Sequence, residues 1–198
     1  MVAVAVSAVV ATVGVGSAAA TSLCKENLEM CEGEVMYVGG TKIKAKLVKG
    51  TVAKFVTSAG TIECTESALA GESSKLSSEP LPGLANSLSF TGCQLEKTAC
   101  TITVEHLAYK SSTQPEAGLW NYTLAGFEAP MEQAVVCGTL KCTFSSEAIA
   151  FKAVGGKPAK LNGSQVFASK GLLCPKEAKW TAEYEVTEPS PLWFSLKP

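Results

Sequence analysis

The sequence predicts an all-β fold, an antiparallel β-sandwich or jelly roll stapled by disulfides. Three observations carry that expectation. Apolar and polar residues alternate with period two over many short segments. Glycine- and proline-rich turn signals separate those segments, and eight cysteines sit in a chain of 198 residues. No window of about a dozen residues shows an apolar stripe at helical spacing. The length suits one domain, expected over residues 21–198.

The first segment is a different material. Residues 1–20 carry no charge and end in Ala18-Ala19-Ala20 before Thr21, the small-x-small form that signal peptidase reads. They are expected to be a signal peptide. The segment has no basic n-region, and its Ala and Gly content makes a poor membrane span. Val2, Val4 and Val6 alternate, which fits a second reading, a strand donated to a neighbouring subunit.

The strands follow in order. Thr41–Leu47 places Ile43, Ala45 and Leu47 on one face and Lys42, Lys44 and Lys46 on the other. Near the end, Trp180, Ala182, Tyr184 and Val186 alternate with Lys179, Thr181, Glu183 and Glu185. Between and after them, strands are expected at Val52–Thr57, Thr61–Thr65, Ser87–Thr91, Thr101–Lys110, Leu119–Leu124, Ala134–Cys137, Leu140–Phe144, Ile149–Val154, Gln165–Ser169 and Leu192–Leu196. Turns are marked by Ser58-Ala59-Gly60, Gly155-Gly156-Lys157-Pro158 and Asn162-Gly163. The apolar parity slips between Val104 and Leu107, which a bulge at Glu105-His106 would explain. Ala70–Asn86 and Lys110–Gly118 read as the two long polar loops.

All eight cysteines (Cys24, Cys31, Cys64, Cys93, Cys100, Cys137, Cys142 and Cys174) follow the expected cleavage point, and no CxxC occurs. Zinc knuckles and thioredoxin-like redox motifs are therefore missing, and disulfides in an oxidising compartment are the expectation. Sequence spacing favours local pairs Cys24–Cys31, Cys93–Cys100 and Cys137–Cys142, leaving Cys64 with Cys174. The rival scheme joins Cys64 to Cys93 and Cys100 to Cys174.

The chemistry available is narrow. The chain has 17 basic and 18 acidic residues, and every acid is Glu and every base Lys. Without Asp or Arg there is no EF-hand loop, aspartic dyad, Ser-His-Asp triad or bidentate arginine reader. A net charge of −1 gives no basic field for nucleic acid. His106 is the one histidine, and no GxSxG elbow accompanies it. Glu183 and Glu185 share a strand face, as ordinary solvent-facing residues do, and are weak grounds for a glycosidase. No catalytic residue, cofactor or metal site is expected.

Surface candidates remain. Lys42, Lys44 and Lys46, with Lys49 beyond, form a row suited to a polyanionic glycan, or to guarding an edge strand. Trp120, Tyr122, Trp180 and Tyr184 alternate with polar residues as core aromatics do. Trp193 and Phe194 are adjacent and must point to opposite faces, so Trp193 is the candidate for a ligand surface. Asn121-Tyr122-Thr123 and Asn162-Gly163-Ser164 match the glycosylation sequon.

The stretch from Cys174-Pro175 through Ala182-Glu183-Tyr184-Glu185-Val186 to Pro189-Ser190-Pro191-Leu192-Trp193 resembles the C-terminal part of secreted, cysteine-containing β-rich proteins of unknown function from actinobacteria. Thr61-Ile62-Glu63-Cys64 and Ser89-Phe90-Thr91-Gly92-Cys93 are similar to the same group. The resemblance implies secretion and a β-sandwich, and brings no activity with it. The expectation is therefore a secreted or cell-envelope protein without catalysis that acts through surface contacts. The alternatives are an extracellular glycan-binding module, with a cell-wall or other glycan as partner, and a self-associating fibre or coat subunit built through the N-terminal segment.

Overall fold

The computed structural model describes residues 20–75, 77–78, 81–105, 109–116, 119–127, 131–147, 149–169 and 171–197. Residues 1–19 of the expected leader, with its alternating valines, and His106 lie outside these residues. The side chains of Trp120, Asn121 and Tyr122 also lie outside the description. The strands are β1 (Ala20–Cys24), β2 (Lys42–Leu47), β3 (Ala53–Thr57), β4 (Gly60–Ser73), β5 (Ser77–Ser78), β6 (Leu81–Leu95), β7 (Thr98–Glu105) and β8 (Tyr109–Glu116). They continue with β9 (Leu119–Phe127), β10 (Met131–Cys137), β11 (Leu140–Ser146), β12 (Ile149–Val154), β13 (Lys160–Ser169), β14 (Glu177–Glu188) and β15 (Trp193–Lys197). The all-β class and the antiparallel pairing are as the sequence predicts.

Two expected loops are corrected. Ala70–Asn86 is largely strand, because β4 runs on to Ser73 and β6 begins at Leu81, with β5 between them. Lys110–Gly118 is mostly β8. Both stretches are rich in Ser, Gly and Pro, which are poor strand formers by composition. Pairing with neighbours overrides that preference, since β4 and β6 satisfy each other's backbone from Ile62↔Leu95 to Ser73↔Gly83.

The long strands organise the rest. β4 pairs with β6, β13 pairs with β14, and the shorter strands connect these two pairs. At one end the ladder runs β6-β8-β9-β12-β13-β14-β2-β4 and returns to β6. At the other it runs β6-β7-β10-β11-β13-β14-β3-β4 and again returns to β6. The sheet thus closes on itself twice, and the long strands belong to both circuits. Closure removes the exposed edges that an open sheet would have to protect.

One continuous buried cluster fills both circuits. Where they meet, Trp180 and Tyr184 of β14, Phe55 of β3 and Phe151 of β12 are fully buried. Edge-to-face contacts link Phe55 to Phe90, Phe90 to Trp180, and Phe151 to Trp180, with centroids 5.1, 6.4 and 5.7 Å apart. The alternation of β14 is as expected: Ala178, Trp180, Ala182, Tyr184 and Val186 are inside. Outward positions of β2 and β14 carry Lys, Glu and Thr, opposite in pattern to the apolar outer band of a membrane barrel, while those of β13 mix Lys160, Asn162 and Ser164 with exposed Val166 and Ala168. No helix among the described residues is long and apolar enough to cross a membrane.

A separate three-stranded sheet, β15-β1-β5, lies across the mouth of the first circuit. Leu23 and Phe194 join the main core from its inner face. Cys24 packs on the other side with Cys31, Met36 and Trp193.

The disulfides are Cys24–Cys31, Cys64–Cys93, Cys100–Cys137 and Cys142–Cys174. The first local pair is as expected. The pairs Cys93–Cys100, Cys137–Cys142 and Cys64–Cys174 are corrected; of the rival scheme Cys64–Cys93 holds and Cys100–Cys174 is corrected, because Cys100 joins Cys137 and Cys174 joins Cys142. Cys64, Cys93, Cys100 and Cys137 stand opposite one another in a row across β4, β6, β7 and β10. Joining the two middle members would strand Cys64 and Cys137 on non-adjacent strands, whereas joining each outer member to its neighbour uses all of them. On the loop-closure model each long-loop bridge contributes about 3.5–4 kcal/mol and Cys24–Cys31 about 2.5 kcal/mol. Four disulfides with no free cysteine place the fold in an oxidising environment.

Candidate binding cavity

The lysine row is not bare. Lys44 Nζ lies 2.6 Å from Glu188 and Lys46 Nζ 3.4 Å from Glu185, both across the β2–β14 pairing. Lys42 stands opposite Glu72 of β4. Lys44, by hydrogen bond and charge, holds the Glu188 carboxyl below its usual range. With Lys44 and Lys46 paired in this way, the row offers a polyanion less net attraction than its sequence suggests.

Trp193 is half-buried against Cys24, Cys31 and Met36, and Phe194 faces the main core. The expected opposite orientation therefore holds, and neither ring projects freely into solvent. Trp180 and Tyr184 are core residues. Glu185 is paired with Lys46. Glu183 lies on an open notch of about 460 Å³ with Lys54, Asn162 and Thr181, where β2 leaves β14 and β3 takes over. Asn162 of the second sequon is exposed there. No group of three or more metal-ligating side chains gathers among the described residues.

A second concavity was not visible in the sequence. It lies inside the mouth of the first circuit, beneath the β15-β1-β5 sheet, and has a volume of about 90 Å³. Leu69, Leu81, Phe151, Leu161, Val186 and Leu192 form its apolar wall, with Leu23 and Phe194 above. These residues come from many strands because inward positions of a closed ladder converge on its axis.

The opening follows from a bulge. The β4–β6 register shifts between Ala70 and Gly71, the former opposite Ser87 and the latter opposite Ala85. A Cβ on Gly71 would lie 2.5 Å from the Leu84 carbonyl oxygen, so glycine permits this close approach. Beyond the bulge, Glu72, Pro82 and Leu84 are only half-buried and form the rim.

Ser73, also on the lining, is 4% exposed, and its Oγ has no hydrogen-bond partner. Its backbone is satisfied: the N–H donates to the Thr41 carbonyl at 3.0 Å and the carbonyl accepts from the Gly40 N–H at 2.7 Å. Only the hydroxyl is left over, in a setting where buried polar groups ordinarily find partners. The hydroxyl lies behind the cavity wall with almost no accessible surface, so chemically the cavity offers mainly apolar surface, which suits binding.

Compared with known proteins, the chain matches no family model, no curated protein and no solved structure.

Proposed function

We propose that the protein is secreted or held in the cell envelope and acts without catalysis, by binding through its surface and the cavity at the mouth of the first circuit. The carrying observation is that cavity, apolar in its walls and lined by residues of many strands. The disulfides support the location, and the resemblance to secreted β-rich proteins agrees with it. A chain beginning at Thr21 would retain the pairing of Thr21–Cys24 with β15, so removal of a leader is compatible with the lid sheet.

Intact mass with and without reductant, on protein from its native source, tests the location. The expected mass begins at Thr21 and is lower by the hydrogens of eight thiols. Free thiols or a retained leader would overturn it. Turnover of polysaccharide or ester substrates, lost on His106→Ala, would overturn the non-catalytic reading.

The glycan-binding reading keeps one favourable observation: the open notch presents the amine of Lys54, the amide of Asn162, the hydroxyl of Thr181 and the carboxylate of Glu183. It has no aromatic ring on its described lining for a sugar face to stack on.

A further inference from the structure

We propose that the loop joining β13 to β14 docks the protein on an anionic lipid bilayer, with Leu172 and Leu173 entering the hydrocarbon boundary and Lys141, Lys176 and Lys179 facing the headgroups. This rests on the surface-binding reading above and names a partner for a surface away from the cavity.

The loop is built to project. The Ser169 N–H donates to the Lys176 carbonyl at 2.8 Å and closes its base, and the Cys174 N–H donates to the Gly171 carbonyl at 3.2 Å across its tip. The Cys142–Cys174 bridge fastens that tip turn to β11. Leu172 and Leu173 are the two central residues of the turn, positions that glycine, proline, asparagine and aspartate ordinarily take. Both are fully exposed, more so than any other large apolar side chain among the described residues. Single surface leucines are common, but two adjacent ones at the summit of a pinned turn contribute nothing to the core. Apolar surface continues beneath them on the outer face of β13, through exposed Ala168 and Val166.

Shape and charge select the occupant. A convex apolar tip suits a deformable apolar medium, which a bilayer provides. Lys141 precedes the bridged Cys142, Lys176 stands at the loop base, and Lys179 lies between Val166 and Val56 in the strand register. All three lysines are exposed, and none is in an ion pair among the described residues. Glu177 is the one acid from Gly171 to Lys179. A small apolar anchor holds a bilayer only weakly and reversibly, so attachment takes a basic patch as its second signal. The cavity is lined by Val186, toward the other end of β14, so docking through this loop does not cover it.

The test uses the full chain with its disulfides intact, floated with vesicles of phosphatidylcholine alone or of an equal mixture with phosphatidylglycerol. The protein is expected to float with the mixed vesicles only, and less as salt rises. Leu172→Ser with Leu173→Ser is expected to weaken binding at least about tenfold, and Lys141→Gln and Lys176→Gln about fivefold each. Val38→Ser, at an exposed apolar residue outside the loop, should change nothing.

Absence from the mixed vesicles overturns the proposal, as does binding that the leucine pair does not alter, or equal binding to both vesicles. Sedimentation in vesicle-free buffer addresses the rival occupant. A dimer that dissociates when the two leucines are changed assigns the tip to a second copy and overturns the lipid assignment. Peptide mapping of the disulfides checks that the leucine variant folds; if it does not, the lysine variants and the salt dependence still decide. A failure here with four disulfides confirmed by mass leaves the location standing, whereas free thiols in the native protein count against that broader reading.

Discussion

Ser67 Oγ lies 2.8 Å from the Tyr184 hydroxyl, and both side chains are buried where the two circuits meet. The bond joins β4 to β14, strands from the two long pairs, at a point where no backbone ladder connects them. Tyr184→Phe leaves the Ser67 hydroxyl buried without a partner, at a cost of about 1–3 kcal/mol. Adding Ser67→Ala removes the orphan, so the double variant should be more stable than additivity of the single variants predicts. Urea denaturation of the four proteins measures the coupling. Strict additivity would mean the bond contributes nothing.

The same tyrosine gives the fold an alkaline limit. Burial pushes the Tyr184 hydroxyl well above its ordinary 10.0, against a smaller lowering by the Ser67 bond. Burial also raises Tyr37, whose hydroxyl donates to the Pro191 carbonyl at 2.6 Å. Above the ordinary tyrosine pKa the unfolded chain loses protons that the folded chain keeps. Stability is therefore full below that pKa and falls as pH rises beyond it. Denaturation midpoints from about pH 8 to 11 should decline above about 10, and the decline should be shallower in Tyr184→Phe. An equal slope in the two proteins would assign the alkaline loss elsewhere.

Gly163 of β13 is a packing position. A Cβ there would lie 2.5 Å from Cη2 and 2.7 Å from Cζ3 of Trp180, and 3.0 Å from Phe151 Cε1. Both rings are buried and held edge-to-face, so neither can swing away cheaply. Gly163→Ala is expected to lose about 1–3 kcal/mol and to alter the near-ultraviolet circular dichroism of Trp180. Ser164→Ala, at the exposed neighbour, is the control and should be close to neutral. Matching stabilities for the two variants would remove the argument.

How far the sequence reveals the fold depends on the range of the interaction. The alternation of Trp180, Ala182, Tyr184 and Val186 is a local pattern, and so is the Cys24–Cys31 spacing; both are readable without the structure. The upper halves of β4 and β6 are not, since Gly71, Ser73, Pro82 and Gly83 are poor strand formers that pairing holds extended. The other disulfides depend on the register of strands distant in sequence, so spacing favours the wrong local partners. Ser73 sits in a run of Glu, Ser and Lys, with no local sign that its hydroxyl is buried without a partner. The lysine row is legible as a row, but the glutamates that pair with Lys44 and Lys46 come from β14, distant in sequence.

The cysteine row predicts an exchange. In Cys64→Ala, the Cys93 thiol is freed beside Cys100, its direct cross-strand neighbour on β7. As a thiolate it can attack the Cys100 sulfur, form Cys93–Cys100 and release the Cys137 thiolate. No outside oxidant is needed, because one disulfide replaces another. Alkylation at mildly alkaline pH followed by peptide mapping should find label on Cys137 as well as Cys93. Label confined to Cys93 would show that the row does not permit exchange. Cys64→Ala with Cys93→Ala should carry no label at all.

Trp193 covers the Cys24–Cys31 bridge rather than standing open to a ligand. It lies opposite Cys24 in the β1–β15 register and packs in the small cluster with Cys31 and Met36. Trp193→Ala removes that apolar cover, and partial burial makes the loss about 1–3 kcal/mol. The effect should be local, because this cluster is distinct from the main core. In hydrogen exchange, peptides spanning β1 and β15 should exchange faster, while those spanning the middle of β4 and β14 keep their protection. A uniform loss of protection would mean that the lid sheet and both circuits unfold as one unit. Loss of glycan binding in a variant with unchanged exchange would instead make Trp193 a ligand contact.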